Sequence, residues 1–242
     1  MFITLEGIEG SGKTTQMQAI ARFLAKNGHK VITTREPGAT QTGKKIRSIL
    51  LDPENSNITP VCELMLYGAD RAQHIAEVIL PALRTGKTVL CDRFADATTA
   101  YQGFARGLDM ELIDNIYAMV ADGLDRNLTQ NSDLTPLKPY SKIVTPGLVK
   151  NSERHTLKPD LTILFDLDPL IGLERTFKAL RQGERDHHES RFEQEHFDFH
   201  EKVRKGYLAI AQKDKERFIV VDASLTREEI LNQIISNITF LK

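Results

Sequence analysis

Five short apolar runs separated by helical patterns constrain the fold of this chain most strongly. The runs predict strands at residues 2–6, 30–34, 88–91, 161–167 and 218–221. Strands that are joined by helices form crossover connections, so we expect the strands to lie parallel in one sheet. The runs TVLC and FIVV show no polar alternation, which is typical of strands buried on both faces. The sequence therefore predicts an α/β fold, a three-layer, doubly wound, five-stranded parallel sheet with helices on both faces.

The segments between these runs carry helical periodicity with recognisable ends. Helices are predicted from a glycine-rich turn to about residue 27, and over residues 40–51, 60–83, 109–120, 169–180, 191–212 and 227–238. Gly28 is expected to end the first helix as a left-handed cap. Pro81 is expected to kink or break the helix of residues 60–83.

Length and composition place the chain among ordinary globular proteins. Its 242 residues suit one large domain or one domain with an insertion, and 40% hydrophobic with 27% charged residues excludes a disordered chain. The net charge of -1 gives no overall attraction to nucleic acid or to an anionic membrane, and neither is an expected partner. With no signal segment or long apolar run, a cytoplasmic location is expected. Cys62 and Cys91 are predicted to be buried, unpaired packing thiols.

Residues 122–158 do not continue the alternation of predicted strands and helices. The segment is polar, contains Pro136, Pro139 and Pro146, and lacks a helical period. Long structureless loops are uncommon inside a compact domain, so we interpret it as an insertion into a single domain of residues 1–242. Residues 142–149 could form a small hairpin, and the segment could extend a dimer contact, although a surface excursion without chemistry is favoured.

Residues 7–14 (GIEGSGKT) match the phosphate-loop pattern G-x-x-x-x-G-K-[ST] between a predicted strand and a predicted helix. Glycines allow backbone N–H groups to converge on a phosphate, and the helix N-terminus adds attraction for the anion. Lys13 is expected to reach the β- and γ-phosphates, and the Thr14 hydroxyl to bind Mg²⁺. The predicted ATP-binding residues are Gly7, Glu9, Gly10, Ser11, Gly12, Lys13, Thr14 and Thr15.

Charged residues follow two of the predicted strands. Arg35 follows the second strand, and Asp92 and Arg93 follow the third. Ligands of open α/β sheets bind at the carboxyl ends of strands, so these side chains are candidates for the same site. Asp92 is expected to support Mg²⁺ together with Thr14. The planar fork of Arg93 suits phosphate oxygens and indicates an anionic second substrate.

Several blocks of sequence resemble bacterial thymidylate kinases (dTMP kinases) of the nucleoside monophosphate kinase group. The blocks are EGIEGSGKTT, TREPGAT, YGADRAQH, DRFADATTAYQGFARG, PDLTILFDLD, SRFEQEHFDF and VDA, and they run from end to end outside residues 122–158. The resemblance implies a P-loop nucleoside monophosphate kinase fold. It also implies transfer of the γ-phosphoryl group of ATP to dTMP with Mg²⁺, giving dTDP and ADP, and a homodimer.

The resemblance also implies roles for individual residues of the acceptor site. Tyr67 occupies the place of an aromatic ring that stacks on thymine, Arg71 meets the base edge, and Thr98 and Gln102 read the base. Tyr101 crowds a ribose 2′-hydroxyl, and Glu9 contacts the sugar 3′-hydroxyl. Arg93 holds the acceptor phosphate, while Arg35 and Glu36 shape the acceptor site.

The charged residues 181–191 resemble the lid of that family. Because the phosphate loop carries Glu9 and no arginine, we expect Arg181, Arg185 or Arg191 to act as a catalytic arginine beside Lys13 and Arg93. A solvated charge run is the alternative. Ala39 stands where a second glycine is usual in the family, and Ser190 where an aspartate is usual.

Two other functions remain open at this point. The chain could phosphorylate a different nucleoside monophosphate or another small acceptor, or it could be a regulator that binds ATP without transferring phosphate. His196 and His200, four residues apart, are interpreted as surface or packing histidines rather than metal ligands. Residues 222–224 are a weak candidate for the adenine pocket.

Overall fold

The computed structural model describes residues 1–129 and 157–238, and side chains up to residue 121 and from residue 157. These residues form a five-stranded sheet in the order β2-β3-β1-β4-β5, with parallel pairing throughout. The strands are β1 (Phe2–Glu6), β2 (Val31–Arg35), β3 (Thr88–Asp92), β4 (Leu161–Asp166) and β5 (Phe218–Asp222). The predicted fold class is confirmed, and each strand begins within one residue of its predicted start.

Helices connect the strands in the expected alternation. They are α1 (Lys13–Lys26), α2 (Gln41–Leu51), α3 (Pro60–His74), α4 (Leu80–Arg84), α5 (Ala95–Thr98), α6 (Met110–Thr129), α7 (Pro169–Arg181), α8 (Phe197–Lys213) and α9 (Arg227–Ile238). Wider π-helical segments at Ile75–Ile79 and Thr99–Ala105 follow α3 and α5. Such segments often occur at functional sites, and the second one carries two predicted site residues.

Three predicted helices differ from the observed ones. The helix predicted at residues 60–83 is interrupted near Pro81, as expected, and the interruption takes the form of π-helical geometry at Ile75–Ile79 followed by α4. The helix predicted from residue 191 begins only at Phe197, since a 3₁₀ turn at Phe192–Gln194 precedes it. The helix predicted to end at residue 120 continues to Thr129, so the start of residues 122–158 is helical. The predicted hairpin of residues 142–149 lies outside the described residues.

The core lies on both faces of the sheet, as the lack of alternation in the strands predicts. In β1 the side chains of Ile3 and Leu5 pack with one cluster, which includes Ile20 and Tyr207, while Phe2 packs on the opposite face. This double burial fixes β1 at the centre of the sheet. The loop that follows β1 is therefore anchored to the most buried strand of the molecule.

The two cysteines differ in their surroundings. Cys91 in β3 is buried and unpaired, as predicted, and burial raises the pKa of its thiol. The prediction for Cys62 is wrong, because it lies exposed on the outer face of α3 beside Val61. None of the helices in the described part of the chain is long and apolar enough to cross a membrane.

Candidate active site

A cleft of about 980 Å³ opens at the carboxyl ends of β1, β2 and β3. It brings together most of the residues predicted for ATP, acceptor and metal binding. They are Glu9, Gly10, Ser11, Gly12, Lys13, Thr14, Thr15, Arg35, Tyr67, Arg71, Asp92, Arg93, Thr98, Tyr101, Gln102 and Arg185. Of the predicted residues, Gly7, Arg181 and Arg191 do not line it.

The loop between β1 and α1 depends on glycine for its close contacts with neighbouring backbone. A Cβ atom at Gly7 would lie 2.5 Å from the carbonyl oxygen of Phe165, and one at Gly10 would lie 2.2 Å from that of Gly172. Gly10 and Gly12 also adopt positive φ angles of 70° and 86°. The backbone of β4 and α7 therefore packs directly against the loop, and α1 begins where the loop ends.

The ammonium group of Lys13 lies folded over this loop. Its Nζ donates to the carbonyl oxygens of Gly7 at 2.9 Å and Ile8 at 2.7 Å, and to Ser11 Oγ at 3.1 Å. Burial, with a smaller effect of Arg93, lowers the pKa of Lys13 to about 8. All three donors of the ammonium group are thus used within the loop, so binding phosphate oxygens requires them to exchange partners.

Thr14 and Asp92, the two predicted metal-binding residues, are in direct contact. Thr14 Oγ1 donates to Asp92 Oδ2 at 3.2 Å. Oδ1 of Asp92 is buried and has no hydrogen-bond partner among the described residues. An unsatisfied carboxylate oxygen beside a hydroxyl suits a hard cation such as Mg²⁺, which usually completes its shell with water and substrate phosphates. No group of three or more His, Cys, Asp or Glu residues in the described part of the chain could hold a metal ion alone.

Arg93 lies beside the phosphate loop, in contact with Glu9. It adopts a positive φ of 69°, a strained conformation for this residue type. Nη1 donates to the hydroxyl of Tyr207 at 3.0 Å and Nη2 to Glu9 Oε1 at 3.0 Å, while Cζ lies 5.0 Å from the centre of the Tyr101 ring. These contacts fix the plane of the guanidinium, which suits it to binding a phosphate with two parallel hydrogen bonds.

Glu9 is the acidic group at the junction of these contacts. Its Oε1 also accepts from the Tyr101 hydroxyl at 2.6 Å, and Oε2 lies 3.7 Å from Nδ1 of His200. Burial would raise the pKa of Glu9, but Arg93, His200, Lys13 and Tyr101 together lower it well below its usual range. Glu9 is therefore a carboxylate, an acceptor suited to a sugar hydroxyl.

Arg71 enters the cleft from α3 with most of its donors already used. Nε donates to Glu36 Oε2 at 2.9 Å, and Nη2 donates to Thr98 Oγ1 at 2.9 Å. Glu36 in turn is 2.9 Å from Nδ1 of His74, which is fully buried. Sequence reasoning missed His74, because a histidine inside a helical pattern gives no sign of its tertiary partner.

Gln102 is held by an acidic residue that sequence reasoning also missed. Its Nε2 donates to Glu63 Oε1 at 2.8 Å, and Glu63 is fully buried. Burial would raise the pKa of Glu63, but hydrogen bonds and charge from Arg106 and the charge of Arg191 lower it. Nothing in the spacing of Glu63 along α3 distinguishes it from a solvent-exposed helix residue.

The three lid arginines lie in different environments. Arg185 is half-buried in the cleft wall, where it pairs with Glu193 and donates to the carbonyl oxygen of Glu189 at 3.2 Å. Arg191 is buried and donates from Nη2 to Glu63 at 2.7 Å. Arg181 is exposed at the end of α7. The structure therefore places one of the three candidates in the cleft.

Three further arginines, Arg47, Arg175 and Arg227, line the cleft without having been predicted, and the first two make side-chain contacts there. Arg47 of α2 forms a two-pronged ion pair with Glu189, at 2.7 Å and 2.8 Å, and so joins α2 to the lid. Arg175 of α7 donates to the carbonyl oxygen of Ala223 at 3.0 Å, within the weak adenine-pocket candidate. Both lie on ordinary helical patterns, so only their tertiary positions reveal them. The two histidines interpreted as surface or packing residues differ in burial, since His196 is exposed and His200 is buried.

Comparisons with known proteins agree with this geometry. A family model for thymidylate kinase matches residues 5–122 and 139–234. The chain is 55% identical to the thymidylate kinase of Desulforapulum autotrophicum over 98% of this chain and 90% of that protein. It is 46% identical to that of Desulfosudis oleivorans over 98% and 95%, respectively. The crystal structure of thymidylate kinase from Ehrlichia chaffeensis has 27% sequence identity and a TM-score of 0.66, over 99% of this chain and 98% of that one. The chain belongs to the thymidylate kinase family.

Proposed function

We propose that this protein transfers the γ-phosphoryl group of ATP to the phosphate of dTMP, giving dTDP and ADP, by positioning and charge stabilisation alone. The activity follows from family membership, which makes the protein an ATP-dependent phosphotransferase. The observation that carries the mechanism is the contact of Arg93 with Glu9 inside the phosphate loop, at 3.0 Å. This contact joins the acceptor-binding arginine to the donor-binding loop.

ATP binds along the loop between β1 and α1, with Lys13 at its β- and γ-phosphates. Thr14 and the free oxygen of Asp92 would hold Mg²⁺, which neutralises phosphate oxygens when bound. Ala223 and the guanidinium of Arg175 lie at the end of the cleft next to α9, and we assign the adenine to that end.

dTMP binds on the β2 and β3 side of the cleft. Arg93 takes its phosphate and Glu9 its 3′-hydroxyl, while the ring of Tyr101 occupies the space that a ribose 2′-hydroxyl would need. Tyr67, Arg71, Thr98 and Gln102 surround the base, and Arg35 and Glu36 border the acceptor site.

The acceptor phosphate is already an anionic nucleophile, so the reaction requires no general base. The obstacle is repulsion between two phosphate groups, which cations in the cleft reduce. We assign the lid contribution to Arg185, because it lines the cleft while Arg191 is committed to Glu63. Such an arginine contributes on the order of 10³–10⁵ in rate where it acts on the transferred group.

We also propose a homodimer, formed through the outer faces of α2, α3 and α6. These helices pack beside one another and expose large apolar side chains between 45% and 65%, namely Ile49, Val61, Met65 and Met119. Large exposed apolar side chains on adjacent helices are typical of protein–protein contacts. A cytoplasmic location stays a prediction from the sequence.

The function is tested by ADP formation from ATP with dTMP, dUMP, dCMP, AMP or thymidine as the acceptor. dTMP should support the highest kcat/KM, and a Lys13→Met variant should lose that activity. Equal ADP release with and without dTMP would instead indicate an ATP-binding regulator. Preference for AMP would indicate a different nucleoside monophosphate kinase.

A further inference from the structure

We infer that Glu63 determines which pyrimidine the cleft accepts, by holding the side-chain amide of Gln102 with its carbonyl oxygen facing the base. The inference rests on the proposed function, since it concerns the base of the acceptor nucleotide. Glu63 does not line the cleft, whereas Gln102 does. Glu63 therefore acts through Gln102, as a positioning residue.

Glu63 accepts four hydrogen bonds, which come from three side chains. Oε1 accepts from Gln102 Nε2 at 2.8 Å and from Arg106 Nε at 3.2 Å. Oε2 accepts from Arg106 Nη2 at 3.1 Å and from Arg191 Nη2 at 2.7 Å. With two guanidinium groups beside it, Glu63 is ionised and can only accept hydrogen bonds. The amide end that faces Glu63 must be the NH₂ group.

This constraint settles the orientation of an otherwise ambiguous side chain. The two ends of a glutamine amide have nearly the same shape, and their hydrogen-bond partners decide which end points where. A reversed amide would bring the oxygen of Gln102 against the carboxylate of Glu63. Oε1 of Gln102 is thus left facing the cleft, and no side chain in the described part of the protein donates to it.

Arg71 supplies the complementary donor. Its Nε and Nη2 are used by Glu36, Phe94 and Thr98, while Nη1 donates to no described residue. The base site therefore presents a fixed donor from Arg71 and a fixed acceptor from Gln102. The hydroxyl of Thr98 can rotate, so it does not discriminate between bases.

This pattern matches thymine and uracil and mismatches cytosine. Thymine and uracil present an O4 acceptor beside an N3–H donor, whereas cytosine presents an amino donor beside an N3 acceptor. A site built to hydrogen-bond one pattern strongly rejects the other, because buried polar groups are left unpaired. The C5 methyl group lies outside this pattern, so Glu63 should affect dTMP and dUMP alike.

The test is a Glu63→Gln variant, in which the new amide can donate to Gln102 and so permits its reversal. We expect kcat/KM for dTMP and dUMP to fall by at least about tenfold, mainly through KM, and the ratio of dTMP to dCMP activity to fall by a similar factor. Arg106→Gln is the matched control. It removes one ion-pair partner of Glu63 but keeps the carboxylate–amide contact, so the ratio should stay at the wild-type value even where stability falls.

An exchange variant, Glu63→Gln with Gln102→Glu, separates positioning from loss of stability. A carboxylate at position 102 presents an acceptor in either orientation, and the exchange leaves the net charge unchanged. We expect it to restore the preference for dTMP over dCMP. If the single variant does not fold, two other measurements test whether Glu63 positions Gln102. They are the base preference of the exchange variant and the binding of dTMP, dCMP and N3-methyl-dTMP to the wild-type protein.

In that binding experiment dCMP and N3-methyl-dTMP should each bind at least about tenfold more weakly than dTMP. An unchanged base preference in folded Glu63→Gln protein would overturn the inference. So would wild-type affinity for N3-methyl-dTMP equal to that for dTMP, or an exchange variant with no preference. Failure of the proposed function is a separate result, in which the wild-type protein phosphorylates no dTMP at all.

Discussion

The charge of Lys13 depends on pH. Burial lowers the pKa of its ammonium to about 8, so the free protein loses this charge as the pH rises through that value. We expect kcat/KM for ATP to decline above about pH 8, since this parameter reports groups of the free enzyme. A Lys13→Arg variant keeps its charge in this range, and its residual activity should show no such decline. A wild-type profile that stays flat to pH 10 would contradict this assignment.

The lid arginines are distinguished by what each side chain contacts. Arg185→Ala should lower kcat by at least about tenfold, because Arg185 faces the cleft. Arg181→Ala should change kcat by less than about threefold, because that side chain is exposed and does not line the cleft. Single-turnover kinetics of the two variants checks this pair. An equal loss of kcat in both variants would show that lining the cleft does not distinguish the catalytic arginine of the lid.

Arg191→Ala should act on stability. Removing it leaves the buried Glu63 with one cation fewer, and breaking a buried ion pair costs about 3–5 kcal/mol of unfolding free energy. Denaturant unfolding measures that cost. A variant as stable as the wild type but with kcat lowered like that of Arg185→Ala would assign Arg191 to catalysis instead.

At the scale of elements, the sequence predicted those features whose residues are adjacent along the chain. The phosphate loop was predicted because its glycines, its lysine and its flanking strand and helix are all adjacent in sequence. Glu63, His74, Arg47 and Arg175 were missed because each lies on a helix and acquires its partner only through tertiary packing. The late start of α8 has the same cause, since the backbone N–H of Arg191 donates to Leu51 across the fold.

The contact between α7 and the phosphate loop allows an element-scale test. A Cβ atom at Gly172 would lie 2.5 Å from the carbonyl oxygen of Glu9, so Gly172→Ala must displace the loop. We expect KM for ATP to rise by at least about tenfold. Gly86→Ala is the control, because Gly86 has a φ of 70° and no atom near its Cβ position. It should lower the melting temperature and leave KM unchanged.

At the scale of the whole molecule, the parallel sheet and its crossover helices were predicted from the sequence, while the strand order and the outer surface were not. Val61, Leu64 and Met65 are apolar residues of the same helix, yet Leu64 is buried and the other two are exposed. The packing of α3 between α2 and α6 determines which of these side chains is buried, and the pattern of one helix does not predict that packing. Residues 123–138, which the family model leaves unmatched, lie within the predicted insertion.

The proposed dimer is tested at this scale by Met65→Glu. Met65 is 48% exposed on α3, and a charge there should weaken association. Leu170→Glu is the matched control, because Leu170 is 58% exposed on α7, outside the proposed surface. Light scattering after size exclusion should give a monomer for the first variant and a dimer for the second. A monomeric wild type would refute the proposed interface.

Competition between acceptors tests the central claim most directly. The protein is incubated with γ-³²P-labelled ATP and an equimolar mixture of dTMP, dCMP and AMP, and the labelled diphosphates are separated. The geometry of Arg93, Glu9 and Gln102 predicts that nearly all transferred label appears in dTDP. Label in ADP or dCDP at comparable amounts, or as inorganic phosphate alone, would contradict it.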